Sequence, residues 1–229
     1  MNEQIIQMNQ NTWRIEDNGV RFFLLTGTKK ALLIDSGMQV HNAKEIAETL
    51  TELPVELLNT HADIDHIGSI EQFASFYMHP AEAANYAKAG EGRLIPVEDN
   101  DELDLGERVL RIIHLPGHTP GSIAVLDKSS RVLISGDPVQ EHGRIFMFGE
   151  NRNMDDYLNS LEKLNSMSSD FDELWPSHAD IPIRPEVISK LIEGTKKIMR
   201  REIDGTEEEF FGHRIRAYDL GFAVLLCDE

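Results

Sequence analysis

Four short apolar segments of this sequence each lead to histidine or aspartate, and this repeated pattern constrains the fold more than any other feature. The segment "VELLNT" leads to His61, "RIIHLPG" to His118, "VLISG" to Asp137 and "ELWPS" to His178. Segments of this length and composition predict β-strands. Loops at strand ends are where a scaffold usually carries functional side chains. We therefore predict a site that is assembled from the ends of four strands.

The densest part of this pattern is "NTHADIDHIGS", which contains His61, Asp63, Asp65 and His66. In an extended segment residues two apart point to the same side, so His61 and Asp63 can reach one ion together. If the chain turns into a helix at "DHIGS", Asp65 and His66 point toward a second ion. Imidazole and carboxylate groups suit zinc, iron or manganese. The stretch therefore predicts part of a metal site.

A resemblance to a known family rests on several motifs in a fixed order. The motifs "HADIDHIGS", "LPGHTPGS", "SGD" and "PSHAD", preceded by "LLIDSG", resemble those of the metallo-β-lactamase fold superfamily, from about Asn11 to Asp228. The resemblance implies an α/β (α+β) fold, a four-layer αββα sandwich, in a single domain over residues 1–229. It also implies a dinuclear metal site along one edge of the sheets.

The resemblance implies a role for each candidate residue of the site. The first divalent metal ion would be bound by His61, Asp63 and His118, and the second by Asp65, His66 and His178. Asp137 would bridge the two ions. Asp65 would also act in catalysis by steering the nucleophile or a proton. Asp35 matches an early aspartate of the family that supports the ligands, and we expect it to orient a histidine or accept loop N–H groups.

Asp63 departs from the commonest form of the family motif, H-x-H-x-D-H, which has histidine at this place. The flavodiiron branch of the superfamily carries glutamate there. Asp63 offers an oxygen ligand and adds a negative charge, so we expect a shift from zinc toward iron or manganese at the first position. The alternative is that Asp63 falls short of the ion and leaves the first position weak or empty.

These residues predict a metal-dependent hydrolase in which a metal-bound hydroxide attacks a small ester, thioester, lactone or phosphoester. One alternative is a flavodiiron-like di-iron redox protein, although the sequence contains no flavin domain. Another is a non-catalytic metal-binding protein on the same fold. No phosphate-binding G-x-x-x-x-G-K-[ST] motif and no G-x-S-x-G motif competes with these interpretations.

Composition limits the partners. The chain has 22 basic and 40 acidic residues, and the resulting net charge of −18 argues against nucleic acid or membrane binding. A small-molecule substrate is expected, and the sequence indicates no oligomeric state. The polar N-terminal residues lack a basic segment followed by an apolar one, so we predict a cytoplasmic location. The single cysteine, Cys227, excludes a cysteine-based zinc cage.

Short apolar runs along the chain predict further strands, and "RIRAYDLGFAVLLCD" predicts a final pair of strands. Two sheets covered by helices are expected. The acidic run Glu207–Glu209 is interpreted as a solvated stretch, and "RIFMF" as a loop that forms an apolar pocket wall or a buried anchor. Helical spacing predicts five helices, at residues 40–53, 67–76, 81–89, 154–167 and 185–204.

Overall fold

The computed structural model describes residues 4–86 and 92–228. The chain divides into two compact units: unit 1 comprises Met1–Ile113 with Val125–Ser130, and unit 2 comprises His114–Ala124 with Arg131–Glu229. The prediction of a single domain over residues 1–229 stays a prediction. Within the described residues, no helix is long and apolar enough to cross a membrane.

Unit 1 is built on a seven-stranded sheet. Its strands, in spatial order, are β1 (Gln4–Asn9), β2 (Thr12–Asp17), β3 (Val20–Thr26), β4 (Ala31–Ile34), β5 (Val55–Leu58), β6 (Ser75–Met78) and β7 (Arg93–Pro96). Neighbours from β1 to β4 run antiparallel, and neighbours from β4 to β7 run parallel. This unit also contains α1 (Ala43–Leu50), α2 (Ala83–Tyr86), the strand β8 (Glu102–Asp104) and nearly all of its antiparallel partner β9 (Val109–His114).

The core of unit 1 follows from continuous apolar strands. Every residue of β3 and β4 is buried, as expected for strands that are covered on both faces. Helix α1 buries Ala43, Ile46 and Ala47, which share one helical face. Because β4 and β5 are fixed in this core, Asp35 and the segment 59–61 that follow them have defined positions.

Unit 2 contains a four-stranded sheet and two long helices. The sheet has the order β12-β16-β15-β14, in which β12 and β16 are parallel and the other neighbours are antiparallel. The strands β11 and β13 are parallel neighbours in another sheet. The elements are β11 (Val132–Gly136), β12 (Arg144–Met147), α3 (Met154–Ser166), β13 (Glu173–Pro176), α4 (Glu186–Met199), β14 (Thr206–Phe210), β15 (His213–Asp219) and β16 (Val224–Asp228). The strand β10 (Ile123–Asp127) has residues in both units.

Several sequence predictions are wrong in detail. Residues 67–76 form a short 3-10 helix, Ile70–Gln72, and the start of β6, because Ile67, Ile70, Phe73 and Phe76 enter the core without a regular helix. The segment "RIFMF", interpreted as a loop, begins as strand β12. Glu207 and Glu209 are exposed, as expected of a solvated stretch, but the strand that contains them, β14, was not predicted. In the sheet of unit 2, β12 and β14 were not predicted, whereas the final pair of strands, β15 and β16, was predicted. Of the predicted helix at 81–89, residues 87–89 lie outside the described residues.

Candidate metal centre

The unit 1 ligand loop, residues 61–66, follows β5 and is a tight turn rather than a helix. The backbone N–H of His66 donates to the carbonyl of Asp63 at 3.0 Å. This turn brings the rings of His61 and His66 to a centroid distance of 4.0 Å. Both histidines are fully buried, whereas the side chains of Asp63 and Asp65 are 27% and 24% exposed. The loop therefore presents two buried imidazoles with a carboxylate beside each.

The spacing of these groups fits metal ligation. Nε2 of His61 lies 3.5 Å from Oδ2 of Asp63, and Nε2 of His66 lies 3.6 Å from Oδ2 of Asp65. Two atoms that bind one zinc ion at about 2.1 Å each, with tetrahedral geometry, are about 3.4 Å apart. Each histidine and its neighbouring carboxylate therefore have the separation of two ligands that share an ion.

Asp35 orients His66. Its buried carboxylate receives hydrogen bonds from the backbone N–H and the hydroxyl of Thr60, at 2.7 and 2.8 Å. It also lies 2.8 Å from Nδ1 of His66. When Nδ1 donates this bond, the neutral ring carries its lone pair on Nε2, which is the nitrogen facing Asp65. The contacts agree with the supporting role expected of Asp35.

Two further buried polar side chains hold the unit 1 ligand loop, and sequence reasoning missed both. The amide of Asn59 donates to the carbonyl of His66 at 2.8 Å. Oε2 of Glu82 accepts from the backbone N–H of Ala62 at 3.0 Å. Asn59 begins the quoted stretch "NTHADIDHIGS", so the sequence offered a signal for its supporting role. Nothing in the sequence marks Glu82, which is distant along the chain and ends a 3-10 helix.

The unit 2 ligand set consists of His118, Asp137 and His178, and Asp137 faces both histidines. Its Oδ2 lies 3.6 Å from Nε2 of His118, and its Oδ1 lies 3.4 Å from Nε2 of His178. These separations also match ligands that share an ion. Because each oxygen faces a different histidine, the carboxylate has the arrangement of a bridging ligand.

A backbone carbonyl and helix α3 position these residues. Nδ1 of His118 lies 2.8 Å from the carbonyl oxygen of Phe146. The hydroxyl of Tyr157 donates to the carbonyl of Pro138 at 2.8 Å, and that of Ser160 donates to Pro116 at 2.6 Å. Burial raises the pKa of Tyr157, which keeps its hydroxyl protonated as a donor. Two hydroxyls of α3 thus hold the segments that carry His118 and Asp137.

Close packing of α3 depends on a glycine beside His118. Gly117 has a φ of +132°, and a Cβ at this position would lie 2.3 Å from the backbone nitrogen of Tyr157. The backbone N–H of Asn153, the residue that caps α3, donates to the carbonyl of Gly117 at 2.9 Å. The "PGH" turn therefore requires a residue without a side chain.

Two other histidines, His114 and His142, and the single cysteine have contacts or surroundings of a different kind. Nε2 of His114 lies 2.9 Å from the carbonyl of Pro120. His142 is exposed, and its hydrogen bond to the carboxylate of Asp180, 2.7 Å from Nδ1, raises its pKa. Cys227 is buried, and burial raises its pKa to about 12, which leaves a protonated thiol. None of these three side chains belongs to the candidate ligand set.

Comparisons with known proteins identify the family to which the chain is similar. The metallo-β-lactamase superfamily matches residues 16–178. The acyl-coenzyme A thioesterase MBLAC2 of Homo sapiens is 25% identical over 189 residues, which cover 64% of this chain and 67% of that protein. The hydroxyacylglutathione hydrolase of Francisella tularensis is 26% identical over 159 residues, which cover 68% of this chain and 61% of that enzyme.

Solved structures show the same fold. A metallo-β-lactamase from Pontibacter korlensis superposes with a TM-score of 0.73 over 85% of this chain and 99% of its own, at 16% sequence identity. At this identity the likeness shows the fold alone, and it confirms the predicted fold class. The family match covers most of the chain, and histidine and aspartate groups suited to metal binding are present. The chain belongs to the metallo-β-lactamase superfamily and is a metallo-hydrolase.

Proposed function

We propose that this protein is a metal-dependent hydrolase of small acyl thioesters, with activity on related esters. The position of Asp137 between two histidines carries the proposal. Its oxygens lie 3.6 and 3.4 Å from His118 and His178. A carboxylate with one oxygen toward each of two imidazoles suits two neighbouring ions. The printed names of the relatives, a thioesterase and a hydroxyacylglutathione hydrolase, support the thioester as the substrate class.

The proposed ligand assignment is the one that the family resemblance implies. Distances within unit 1 support the pairing of His61 with Asp63 and of His66 with Asp65. The proposed centre holds two divalent ions. The first ion would be held by His61, Asp63 and His118, the second would be held by Asp65, His66 and His178, and Asp137 would serve both.

Divalent ions held by these residues would supply Lewis-acid chemistry, which lowers the pKa of water and polarises a carbonyl group. The protein's own residues orient the groups around them. Asp35 fixes the ring of His66 through a contact of 2.8 Å, and the carbonyl of Phe146 does the same for His118 at 2.8 Å. Asp65, which is 24% exposed, is the proposed group that holds a proton during turnover.

The overall reaction consumes one water per thioester. The oxygen of water forms a bond to the acyl carbon, and the carbon–sulfur bond breaks. One proton of water goes to the departing sulfur, which leaves as a thiol, and the other is released with the carboxylate product. Asp65 is proposed to carry the proton toward the sulfur, because a partly exposed carboxylate can exchange protons with solvent.

Asp63 favours a second candidate function. The carboxylate beside His61 makes the first position harder than a three-histidine site, and a harder site favours iron or manganese over zinc. A di-iron redox protein would therefore also fit this ligand set. Iron with a redox-active spectrum and no thioester turnover would support that candidate. The identity of the metals and a cytoplasmic location stay predictions.

A substrate panel combined with elemental analysis tests the proposal. Protein purified without added metal is analysed for zinc, iron and manganese. It is then assayed on a thioester, an ester, a lactone and a phosphodiester. Thioester turnover that a chelator abolishes and added metal restores is expected. Full metal loading without turnover of any substrate would contradict the hydrolase and favour a non-catalytic metal-binding protein.

The variant Asp63→His tests the role assigned to the carboxylate. Histidine at this position replaces a hard oxygen ligand by a softer nitrogen ligand, so the zinc fraction of the purified protein should rise. Asp180→His is a matched control, because Asp180 is an exposed carboxylate that contacts His142. An unchanged metal content in Asp63→His would contradict the proposed tuning of the first position.

A further inference from the structure

A cavity of 210 Å³ lies beside the unit 2 ligand set. It is large enough for about seven water molecules at roughly 30 Å³ each, and therefore for a short organic group. Because Asp137 and His178 both line it, a group bound there would be close to the proposed metal ligands. The remaining lining residues are Gln140, Gly143, Arg144, Phe146 and Ala179.

Phe146 connects this cavity to an aromatic strip, which we define as Phe146, Phe148, Phe210 and Phe211. The ring of Phe146 lies 5.6 Å from that of Phe148 and 5.2 Å from that of Phe210. Phe210 in turn lies 4.4 Å from Phe211, which is 81% exposed. The carbonyl of Phe146 also contacts His118. The strip thus begins at the ligand set and ends at an exposed aromatic ring on the turn between β14 and β15.

The charges around the strip favour a neutral group over an anion. Among the residues that line the cavity, the cationic side chain is Arg144, and it forms an ion pair with Glu208. Its guanidinium lies 5.3 Å from the ring centroid of Phe210. The whole chain carries a net charge of −18. This potential repels anions, whereas an apolar group gains contact with several aromatic rings.

We propose that the aromatic strip binds the apolar acyl chain of the substrate, so that the enzyme prefers medium-chain acyl thioesters to acetyl thioesters. This inference rests on the proposed function. The acyl chain extends from the unit 2 ligand set through the cavity, along Phe146, toward Phe148 and Phe210. Each methylene that leaves water for this surface strengthens binding. The strip is therefore the element that sets chain-length specificity.

The test compares acetyl and octanoyl thioesters of N-acetylcysteamine in the metal-loaded, full-length protein. The wild type should favour the octanoyl substrate at least about tenfold in kcat/KM, from burial of part of the added chain. In Phe148→Ala the octanoyl-to-acetyl ratio should fall about tenfold, and in Phe211→Ser about threefold. Phe211 is exposed, so its variant keeps the test valid if Phe148→Ala fails to fold. Met199→Ala, an exposed apolar position at the end of α4, is the control and should keep the wild-type ratio.

Calorimetry with the non-hydrolysable thioether S-octyl-N-acetylcysteamine separates this inference from the proposed function. The thioether should bind the wild type and bind Phe148→Ala about tenfold more weakly. Thioether binding that depends on Phe148, without turnover of either thioester, would overturn the hydrolase and support the subsite. Turnover with the same octanoyl-to-acetyl ratio in the wild type and both strip variants would overturn the subsite and support the hydrolase.

Discussion

The two units hold their candidate ligands by different means. In unit 1 the ligands lie in one short loop, and buried polar side chains hold it: Asp35 contacts His66, and Glu82 accepts from Ala62. In unit 2 the ligands come from three separate loops. There a backbone carbonyl orients His118, and α3 packs directly against the neighbouring Gly117. The first arrangement depends on buried carboxylates, whereas the second depends on shape and on backbone carbonyls.

This difference predicts which kind of substitution each unit tolerates. A buried carboxylate with several donors is sensitive to any change in its charge, because its partners lose their compensation. A close contact between backbone segments is insensitive to charge but does not accept an added atom. We therefore expect isosteric charge changes to harm unit 1 most, and small increases in volume to harm unit 2 most.

The largest expected effect is that of Asp127→Asn in unit 1. Asp127 is buried and accepts from Nε and Nη2 of Arg108 at 3.0 and 2.7 Å. Removing the charge leaves the Arg108 guanidinium buried without its counter-ion, which should cost about 3 kcal/mol in the free energy of unfolding at neutral pH. Denaturant unfolding measures this loss.

The matched substitution in unit 2 is Asp172→Asn, which removes an exposed ion pair with Arg131. We expect no measurable change in the free energy of unfolding, since exposed pairs contribute little. Equal losses in the two variants would contradict the view that unit 1 depends more strongly on buried charge.

The same pair predicts a pH dependence. Burial raises the pKa of Asp127, but hydrogen bonds from Ser129 and Ser130 and the charge of Arg108 outweigh it, so the pKa is lowered. The stabilisation is therefore present above the unfolded-state pKa of about 3.9 and is lost as the pH falls through the lower folded value. Acid titration of stability should show this loss in the wild type and a weaker one in Asp127→Asn.

Gly117→Ala should have the next largest effect, and it addresses the packing of unit 2. The added Cβ would lie 2.3 Å from the backbone nitrogen of Tyr157 and would also be strained by the φ of +132°. We expect a loss of about 2 to 3 kcal/mol in unfolding free energy. Gly149→Ala is the control, since Gly149 has a φ of +89° but no atom within 4 Å of an added Cβ. That control should lose only about 1 kcal/mol. Similar losses in both variants would mean that backbone strain, rather than the contact with α3, is responsible.

Asp35→Asn tests whether the buried carboxylate beside His66 contributes to metal binding. It keeps the shape of the side chain but removes the charge beside His66, so metal affinity should fall about 10- to 100-fold. Competition with a chelator measures the affinity. Asp17→Asn is the control, because Asp17 accepts from the backbone N–H groups of Met38, Gln39 and Val40. The control should lose stability and keep its metal affinity. If the metal affinity fell in Asp17→Asn but not in Asp35→Asn, the role assigned to Asp35 would be contradicted.

Tyr157→Phe is the mildest test of unit 2. It removes only the hydroxyl that donates to the carbonyl of Pro138, next to Asp137. One lost hydrogen bond should cost about 1 kcal/mol of stability and lower metal affinity a few-fold. An effect on affinity larger than that of Asp35→Asn would reverse the comparison between the units.

The candidate ligands could be named from the sequence because their residue types and order are local signals, and their role as metal ligands stays a prediction. Asp35 was assigned a supporting role, and the structure has it contacting His66. The positioning roles of Glu82 and Tyr157 were not predicted, because they arise from hydrogen bonds to distant segments of the chain, at Ala62 and Pro138. No periodicity or motif identifies such a partner.

The strand β14 was not predicted, for a related reason. Its acidic residues Glu207 and Glu209 are exposed, as expected, but the sequence did not indicate that Glu207 pairs with Arg216 on a neighbouring strand, β15, at 3.1 Å. Cross-strand partners of this kind depend on the register of two strands, which a single sequence does not define. The prediction of a helix over residues 67–76 was wrong because apolar residues three positions apart are also compatible with a 3-10 helix followed by a strand.

Metal stoichiometry tests the central claim most directly. Elemental analysis and calorimetric titration of the metal-free protein should give about two ions per chain for the wild type, as expected of a dinuclear site. The variants His61→Ala and His66→Ala should each retain about one, because each loses a ligand of a different ion. A wild type that binds a single ion, or variants that both still bind two, would contradict the proposed centre.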